Sequence, residues 1–240
     1  MPPTIASNNL LLWRVQSQKH TAILLFAESN KRLIQKKTLH GAAVKNFKLV
    51  KHLNDKAAKT AHKSGLDIIQ LDESQQTGQS FGDRLTNAVE SIFLKGYERL
   101  IVIGNDCPDL TPADLRKTNV ELEMNDLVLG PDQRGGTYLI GLNRSSFVVD
   151  KFRCLAWQKK ELCQTFASYA KDLHASIRWM SQKVDFNHSD EIKSYSAISA
   201  GIRKLISQLI DQVAYFDVAT NFYAAVQLET NSRRGPPQLI

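Results

Sequence analysis

The sequence lacks any apolar run near the ~20 residues that a bilayer-spanning helix requires, and its N-terminus lacks the charged start and apolar stretch of a secretion signal. Cysteine is also scarce: Cys107, Cys154 and Cys163 are an odd number without paired metal-ligand spacing. Free thiols in a reducing compartment account for this pattern, so we expect a cytoplasmic protein with no membrane span. Glycine and proline are few, at 12 and 7, beside 6 Tyr, 10 Phe and 3 Trp, and no fixed-period repeat is present, which argues against fibrous, repeat and disordered classes.

The chain is long enough to bury one substantial core. It has 240 residues, of which 42% are hydrophobic. This size exceeds the common single domain only modestly, so we expect one domain over residues 1–240, with 228–240 as a loose tail.

The charge is unevenly distributed. The net charge is +7, but residues 1–63 hold twelve Lys and Arg against two acidic residues, so the remainder is net negative. A predicted helix from His40 to Lys63 carries much of this excess on one face. Such a face attracts nucleic acid, anionic membranes or phosphorylated small molecules, although it is most often simply exposed to solvent. Its basic residues are Lys45, Lys48, His52, Lys56, Lys59 and Lys63.

Strand and helix signals alternate along the chain, which predicts an α/β fold with a mostly parallel sheet and helices on both faces. Ser80 with Asp83, and Thr111 with Asp114, have the spacing of capping boxes at helix starts. The predicted strands are Thr21–Ala27, Asp67–Leu71, Arg99–Ile103, Asp126–Leu129, Thr137–Leu142 and Ala175–Met180. The predicted helices are His40–Lys63, Ser80–Lys95, Thr111–Met124, Lys159–Asp172 and Asp190–Gln212.

An acidic turn, Gly104-Asn105-Asp106-Cys107-Pro108-Asp109, directly follows one predicted strand. Ligands of parallel sheets bind outside the carboxyl ends of strands, and two carboxylates on such a turn can hold a hard divalent cation. The alternative is that Asp106 and Asp109 only cap the turn before Thr111. Cys107 as a nucleophile is disfavoured, because no His is near it in sequence.

Further candidates follow other predicted strands. Lys31 and Arg32 follow the first strand, and Arg84 lies in the first turn of the Ser80 helix, where each could contact phosphates or simply face solvent. Gly135 and Gly136 suit a loop that a substrate approaches closely, although paired glycines more often serve tight turns.

Motifs in the middle of the chain resemble those of the bacterial DUF2064 group, glycosyltransferase-like relatives of the nucleotide-diphospho-sugar transferases and of the molybdenum-cofactor and phospholactate nucleotidyltransferases. The resemblance is dense from about residue 78 to residue 142. The motifs are Phe81-Gly82-Asp83-Arg84-Leu85, Gly96-Tyr97, Ile103 to Leu110, Leu129-Gly130-Pro131 and Gly135 to Leu142.

The resemblance implies a GT-A-type, Rossmann-like, three-layer α/β/α fold. It also implies that Asp106 binds a divalent metal, Mg²⁺ or Mn²⁺, that bridges nucleotide phosphates, and that Asp185 belongs to a second acidic motif. The sequence departs from the family pattern in three places. Residues 28–33 lack the usual glycine, Arg134 replaces an acidic residue before the paired glycines, and Asn187 replaces a second carboxylate.

Three functions are therefore under consideration. The leading one is a metal-dependent glycosyl- or nucleotidyltransferase with Asp106 as metal ligand, and with Lys31, Arg32, Arg84, Asn105, Asp109, Arg134, Gly135 and Gly136 at the nucleotide or nucleotide sugar. The second is a degenerate relative that binds nucleotides or acts as a scaffold, with Arg134 in place of the cation at a diphosphate. The third, ranked last because it leaves the acidic turn unused, is a polyanion-binding protein that uses the basic helix; nucleic acid is accordingly a disfavoured partner.

Overall fold

A computed structural model describes residues 19–29 and 43–186. Within these ranges the chain forms six strands and five α-helices, together with a single 3₁₀ turn at Arg144–Ser146. The strands are β1 (Lys19–Phe26), β2 (Asp67–Leu71), β3 (Tyr97–Ile103), β4 (Leu127–Pro131), β5 (Thr137–Asn143) and β6 (Ile177–Trp179). The helices are α1 (Ala43–His62), α2 (Phe81–Leu94), α3 (Pro112–Glu121), α4 (Val149–Arg153) and α5 (Leu162–Asp172).

The strands form one sheet in the order β2-β1-β3-β5-β4-β6. Pairings β1–β2, β1–β3 and β4–β6 are parallel, whereas β5 runs antiparallel to both of its neighbours. The β4–β5 connection causes this exception, because it is too short for the crossover of about a dozen residues that a parallel pair needs. The predicted mostly parallel α/β fold is confirmed.

Each face of the sheet supports its own hydrophobic core, because side chains alternate between faces along a strand. On β1, Ala22 and Leu24 face one core and Ile23 and Leu25 face the other. The first core packs against α2, α4 and α5, and we call this side the α2 face. The second packs against α1 and α3, and we call it the α1 face. The result is a three-layer α/β/α arrangement.

Capping interactions fix where two helices begin. The Ser80 hydroxyl accepts from the Asp83 backbone N–H, and the Asp83 carboxylate accepts from the Ser80 N–H. Thr111 and Asp114 form the same reciprocal pair at α3, where Pro112 occupies the first turn. Both predicted capping boxes are confirmed, and each places a helix start directly after a loop at the carboxyl end of the sheet.

Some predicted boundaries were wrong. Helix α3 ends at Glu121 rather than Met124, because the next residues form i→i−3 bonds instead of continuing the helix. Helix α5 begins at Leu162 rather than Lys159, because the Cys163 N–H donates to the Gly135 carbonyl instead of to the Lys159 carbonyl four positions back. The predicted helix at 190–212 and the tail at 228–240 lie outside the residues that the structure describes. Among residues 19–29 and 43–186, no helix is both long and apolar enough to span a bilayer.

Candidate functional site

Helix α1 holds the acidic turn in place at the carboxyl end of β3. The Asn105 side chain is buried, and its Nδ2 donates a hydrogen bond to Oδ1 of the Asn54 side chain on α1. The Lys56 ammonium, also on α1, donates to the Pro108 carbonyl. Two side chains of one helix therefore hold residues on either side of Asp106. Lys56 therefore differs from the prediction of a basic face that points into solvent, because its ammonium is hydrogen-bonded to a carbonyl of the turn.

The segment after β6 returns to the acidic turn and brings a second carboxylate to it. The Phe186 N–H donates to the Asp106 carbonyl at 2.8 Å, and the Phe186 ring is 1% exposed. Asp185 is the preceding residue, and its charge acts on the neighbouring Cys107 thiol. The structure therefore brings together the two aspartates that the family resemblance identifies as metal ligands.

Lys183 fastens this returning segment to the rest of the site. Its ammonium donates to the Asp109 carbonyl at 2.9 Å and pairs with the Asp114 carboxylate at 3.0 Å. It also lies 6.0 Å from the centre of the Tyr138 ring. Burial would raise the pKa of Asp114, but hydrogen bonds from Thr111 and Lys183 outweigh it, and the pKa is lowered. Lys183 thus connects the acidic turn, the start of α3 and strand β5.

The β4–β5 loop is organised by Asp132, a buried residue at the end of β4. Its Oδ1 accepts from the backbone N–H groups of Arg134 at 2.7 Å and Gly136 at 2.8 Å. A Cβ at Gly136 would lie 2.5 Å from the other Asp132 oxygen, and a Cβ at Gly135 would collide with the Lys160 carbonyl. Both glycines therefore allow close contacts within the protein that a larger residue would prevent.

One cavity of about 710 Å³ lies over the carboxyl ends of β1 and β3. It gathers most of the predicted site residues, namely Arg84, Asn105, Asp106, Arg134, Gly136 and Asp185. Asp109 and Gly135 are not among its lining residues, and Lys31 and Arg32 lie outside the described ranges. Asp106 and Asp185 meet here, although 79 positions separate them in sequence.

The cavity has a second wall on the α2 face, which sequence reasoning missed. Phe81 and Trp157 pack against the core on that face, whereas Cys107 packs against the core on the α1 face. Lys159 and Lys160 line the cavity beside Trp157. The site therefore spans the top of the sheet, with Asp106 on the turn after β3, Asp185 on the segment after β6, and an aromatic wall with two lysines beside α5.

The Cys107 thiol is not a candidate nucleophile. Burial, reinforced by the negative charge of Asp185, raises its pKa to about 12. A thiol with this pKa carries almost no thiolate near neutral pH, which removes the reactive form. Cys107, Cys154 and Cys163 are all free thiols, so the prediction of unpaired cysteines is confirmed.

The donor atoms at the paired aspartates are suited to a hard cation, although they do not form a complete protein cage. Carboxylate oxygens are the ligands that Mg²⁺ and Mn²⁺ prefer. Within the part of the chain that the structure describes, no three His, Cys, Asp or Glu side chains form a metal-binding group. This set fits a metal that also takes oxygens from water and from substrate phosphates.

Comparisons with known proteins agree with the fold. The profile of a bacterial family with the description "uncharacterized protein conserved in bacteria (DUF2064)" matches residues 38–159. A candidate nucleotide-diphospho-sugar transferase from Desulfovibrio desulfuricans superposes with a TM-score of 0.68 at 19% identity, over 80% of this chain and 97% of the other. A hypothetical transferase from Thermus thermophilus superposes at 0.46 with 15% identity, over 72% and 99%. No curated protein matches the chain.

Proposed function

Because the chain belongs to the DUF2064 family, we propose that it is a metal-dependent transferase that moves a glycosyl or nucleotidyl group from a nucleotide or nucleotide-sugar donor. One observation carries the proposal: a single cavity at the carboxyl ends of the strands is lined by Asp106, Asp185 and several cationic side chains. The D. desulfuricans protein shares the fold and is a candidate nucleotide-diphospho-sugar transferase, and we extend that donor class to this chain.

Asp106 and Asp185 would hold the metal, Mg²⁺ or Mn²⁺, with Asp106 as the principal ligand. Phosphate oxygens of the donor and water would fill the remaining positions. Once bound, the metal would neutralise charge on the donor phosphates. The contacts of Asn105 with Asn54 and of Lys183 with Asp114 hold the segments that carry Asp106 and Asp185 in their relative positions.

The cationic residues would bind the phosphates and stabilise the diphosphate as it departs. Arg84 and Arg134 line the cavity, and Lys31 and Arg32, which lie outside the described residues, are the predicted contacts after β1. Cationic side chains that already lie where negative charge develops lower the activation barrier, because they need no reorganisation during the reaction. Gly136 lines the same cavity and presents only backbone there.

A second candidate function is favoured by the position of Arg134. The resemblance implies an acidic residue at this position, whereas here Arg134 is a lining residue of the cavity. A fixed guanidinium can pair with a diphosphate in place of a metal. The chain would then be a nucleotide-binding relative that has lost catalysis. The polyanion-binding alternative is weaker, because Lys56 of the basic face is occupied by the Pro108 carbonyl.

We also propose that the protein acts in the cytoplasm. Its three free thiols support a reducing compartment, where disulfides do not persist.

A thermal-shift screen of nucleotides and nucleotide sugars, each with and without Mg²⁺ or Mn²⁺, tests the function. A bound ligand raises the melting temperature by mass action, so a true donor is identified without a known reaction. The transferase predicts stabilisation that requires metal and is lost in Asp106→Asn. Asp109→Asn is the matched control, since it makes the same charge change in the same turn outside the cavity lining. Stabilisation without metal that survives Asp106→Asn but not Arg134→Gln would favour the degenerate relative instead.

A further inference from the structure

Contacts within the protein hold the wall of the cavity beside α5. The Trp157 indole N–H donates to the Phe152 carbonyl at 3.0 Å. Its ring lies 5.8 Å from that of Phe81 and 5.7 Å from that of Phe166, in tilted and edge-on geometries. These contacts fix the indole in one orientation while part of it remains accessible from the cavity. A fixed aromatic surface in a cavity favours a ligand with a ring or an apolar face.

Two consecutive lysines extend this wall, and the β4–β5 loop fixes their backbone. The Lys160 carbonyl packs where a Cβ of Gly135 would stand, and the Cys163 N–H donates to the Gly135 carbonyl at 2.9 Å. Lys159 and Lys160 are both exposed, and both are lining residues of the cavity. Within residues 19–29 and 43–186, neither ammonium pairs with a carboxylate.

We propose that this wall is the acceptor subsite, and that the acceptor is a phosphomonoester with a ring or an apolar face. The inference rests on the proposed transferase function, in which the metal at Asp106 and Asp185 takes the phosphates of the donor. Lys159 and Lys160 line the cavity beside Trp157, which packs on the α2 face. They would therefore bind a second anion, separate from the donor phosphates at the metal. Two lysines on one cavity wall supply two positive charges, which match a phosphomonoester, with about two charges at neutral pH, better than a carboxylate with one.

Isothermal titration calorimetry with small probes tests the subsite directly. Phenyl phosphate combines a ring with a phosphomonoester, methyl phosphate lacks the ring, benzoate carries a single charge, and phenol carries none. We expect phenyl phosphate to bind more tightly than each of the other three. The double substitution Lys159→Ala and Lys160→Ala should weaken its binding about tenfold, the loss expected for a charged contact in a partly exposed site.

A matched control separates local contacts from overall charge. Lys95 and Lys171 are also exposed, and they lie at the C-terminal ends of α2 and α5, away from the cavity. Replacing both with alanine makes the same change in net charge and should leave phenyl phosphate binding unchanged. Equal weakening in the two double variants, or no binding by the wild-type protein, would overturn the proposal.

The same variants distinguish failure of the subsite from failure of the proposed function. Metal-dependent stabilisation by a nucleotide should persist when Lys159 and Lys160 are replaced, and phenyl phosphate should still bind to Asp106→Asn. If the lysine variant loses the nucleotide instead, the wall belongs to the donor and the acceptor assignment is wrong. If no nucleotide binds to any variant but phenyl phosphate binding depends on the two lysines, the anion site stands and the transferase proposal fails.

Discussion

Replacing Lys183 with methionine tests whether this residue fastens the Asp185 segment to the acidic turn. Methionine keeps most of the apolar stem beside Tyr138 but removes the ammonium. Two charge-assisted contacts are lost, one to the Asp109 carbonyl and one to the Asp114 carboxylate. The side chains of Lys183 and Asp114 are only 16% and 21% exposed, so water replaces these contacts incompletely.

Hydrogen bonds to charged groups contribute about 1.5–3 kcal/mol each, and partial access of water reduces the sum here. We therefore expect Lys183→Met to lower the free energy of unfolding by about 2 kcal/mol. For a chain of this length that corresponds to a fall of about 4–8 °C in melting temperature. Urea unfolding followed by circular dichroism measures the change, with the exposed Lys95→Met as the matched control.

A double-mutant cycle with Asp114→Ala isolates the pair from the capping role of Asp114. We expect a coupling free energy of about 1 kcal/mol, because the ion pair is only partly buried. A change below about 0.5 kcal/mol in Lys183→Met, or a coupling energy near zero, would refute the assigned role of Lys183.

Three other predictions follow from local geometry. Gly135→Ala should destabilise the protein in urea unfolding by at least about 2 kcal/mol more than Gly96→Ala. Both glycines have positive φ, but only the new methyl group at Gly135 would collide with backbone, and equal losses of stability would contradict this. Iodoacetamide at pH 8 should label the exposed Cys154 and spare Cys107, whose pKa of about 12 suppresses the thiolate, until the protein is unfolded. Hydrogen bonds from Ser176 lower the pKa of Asp126, so its contribution should be complete above about pH 4 and fade as the pH falls through the lower folded-state pKa; Asp126→Asn should therefore flatten the acid limb of melting temperature against pH.

The parts of the fold that follow local rules could be predicted from the sequence. Strand Asp67–Leu71 matches its prediction, and both capping boxes form as expected, because they depend on residues three positions apart. The α5 boundary could not be predicted in this way. It depends on a hydrogen bond from the Cys163 N–H to the Gly135 carbonyl in the distant β4–β5 loop.

The site was predictable where a motif marks it and not where distant segments meet. The turn with Asp106 has a recognisable sequence, and the family resemblance pointed to Asp185. The supports Asn54, Lys56 and Lys183 carry no local signal, because each contacts a backbone or side chain more than 50 positions away. The aromatic and lysine wall was missed for the same reason.

Asp132 illustrates a signal that was available. In an Asx turn, an aspartate side chain accepts a hydrogen bond from the backbone N–H two residues later. Asp132 and Arg134 have this spacing and form this bond. The sequence therefore carries a signal for a turn from Asp132 to Arg134, directly before the paired glycines.

The most direct test of the central claim is a titration of free Mn²⁺ by electron paramagnetic resonance, with and without the nucleotide that stabilises the protein. The account predicts that nucleotide tightens Mn²⁺ binding in the wild-type protein and in Asp109→Asn, and that Asp106→Asn and Asp185→Asn lose this tightening. Unchanged nucleotide-dependent Mn²⁺ binding in Asp106→Asn and Asp185→Asn would contradict the account.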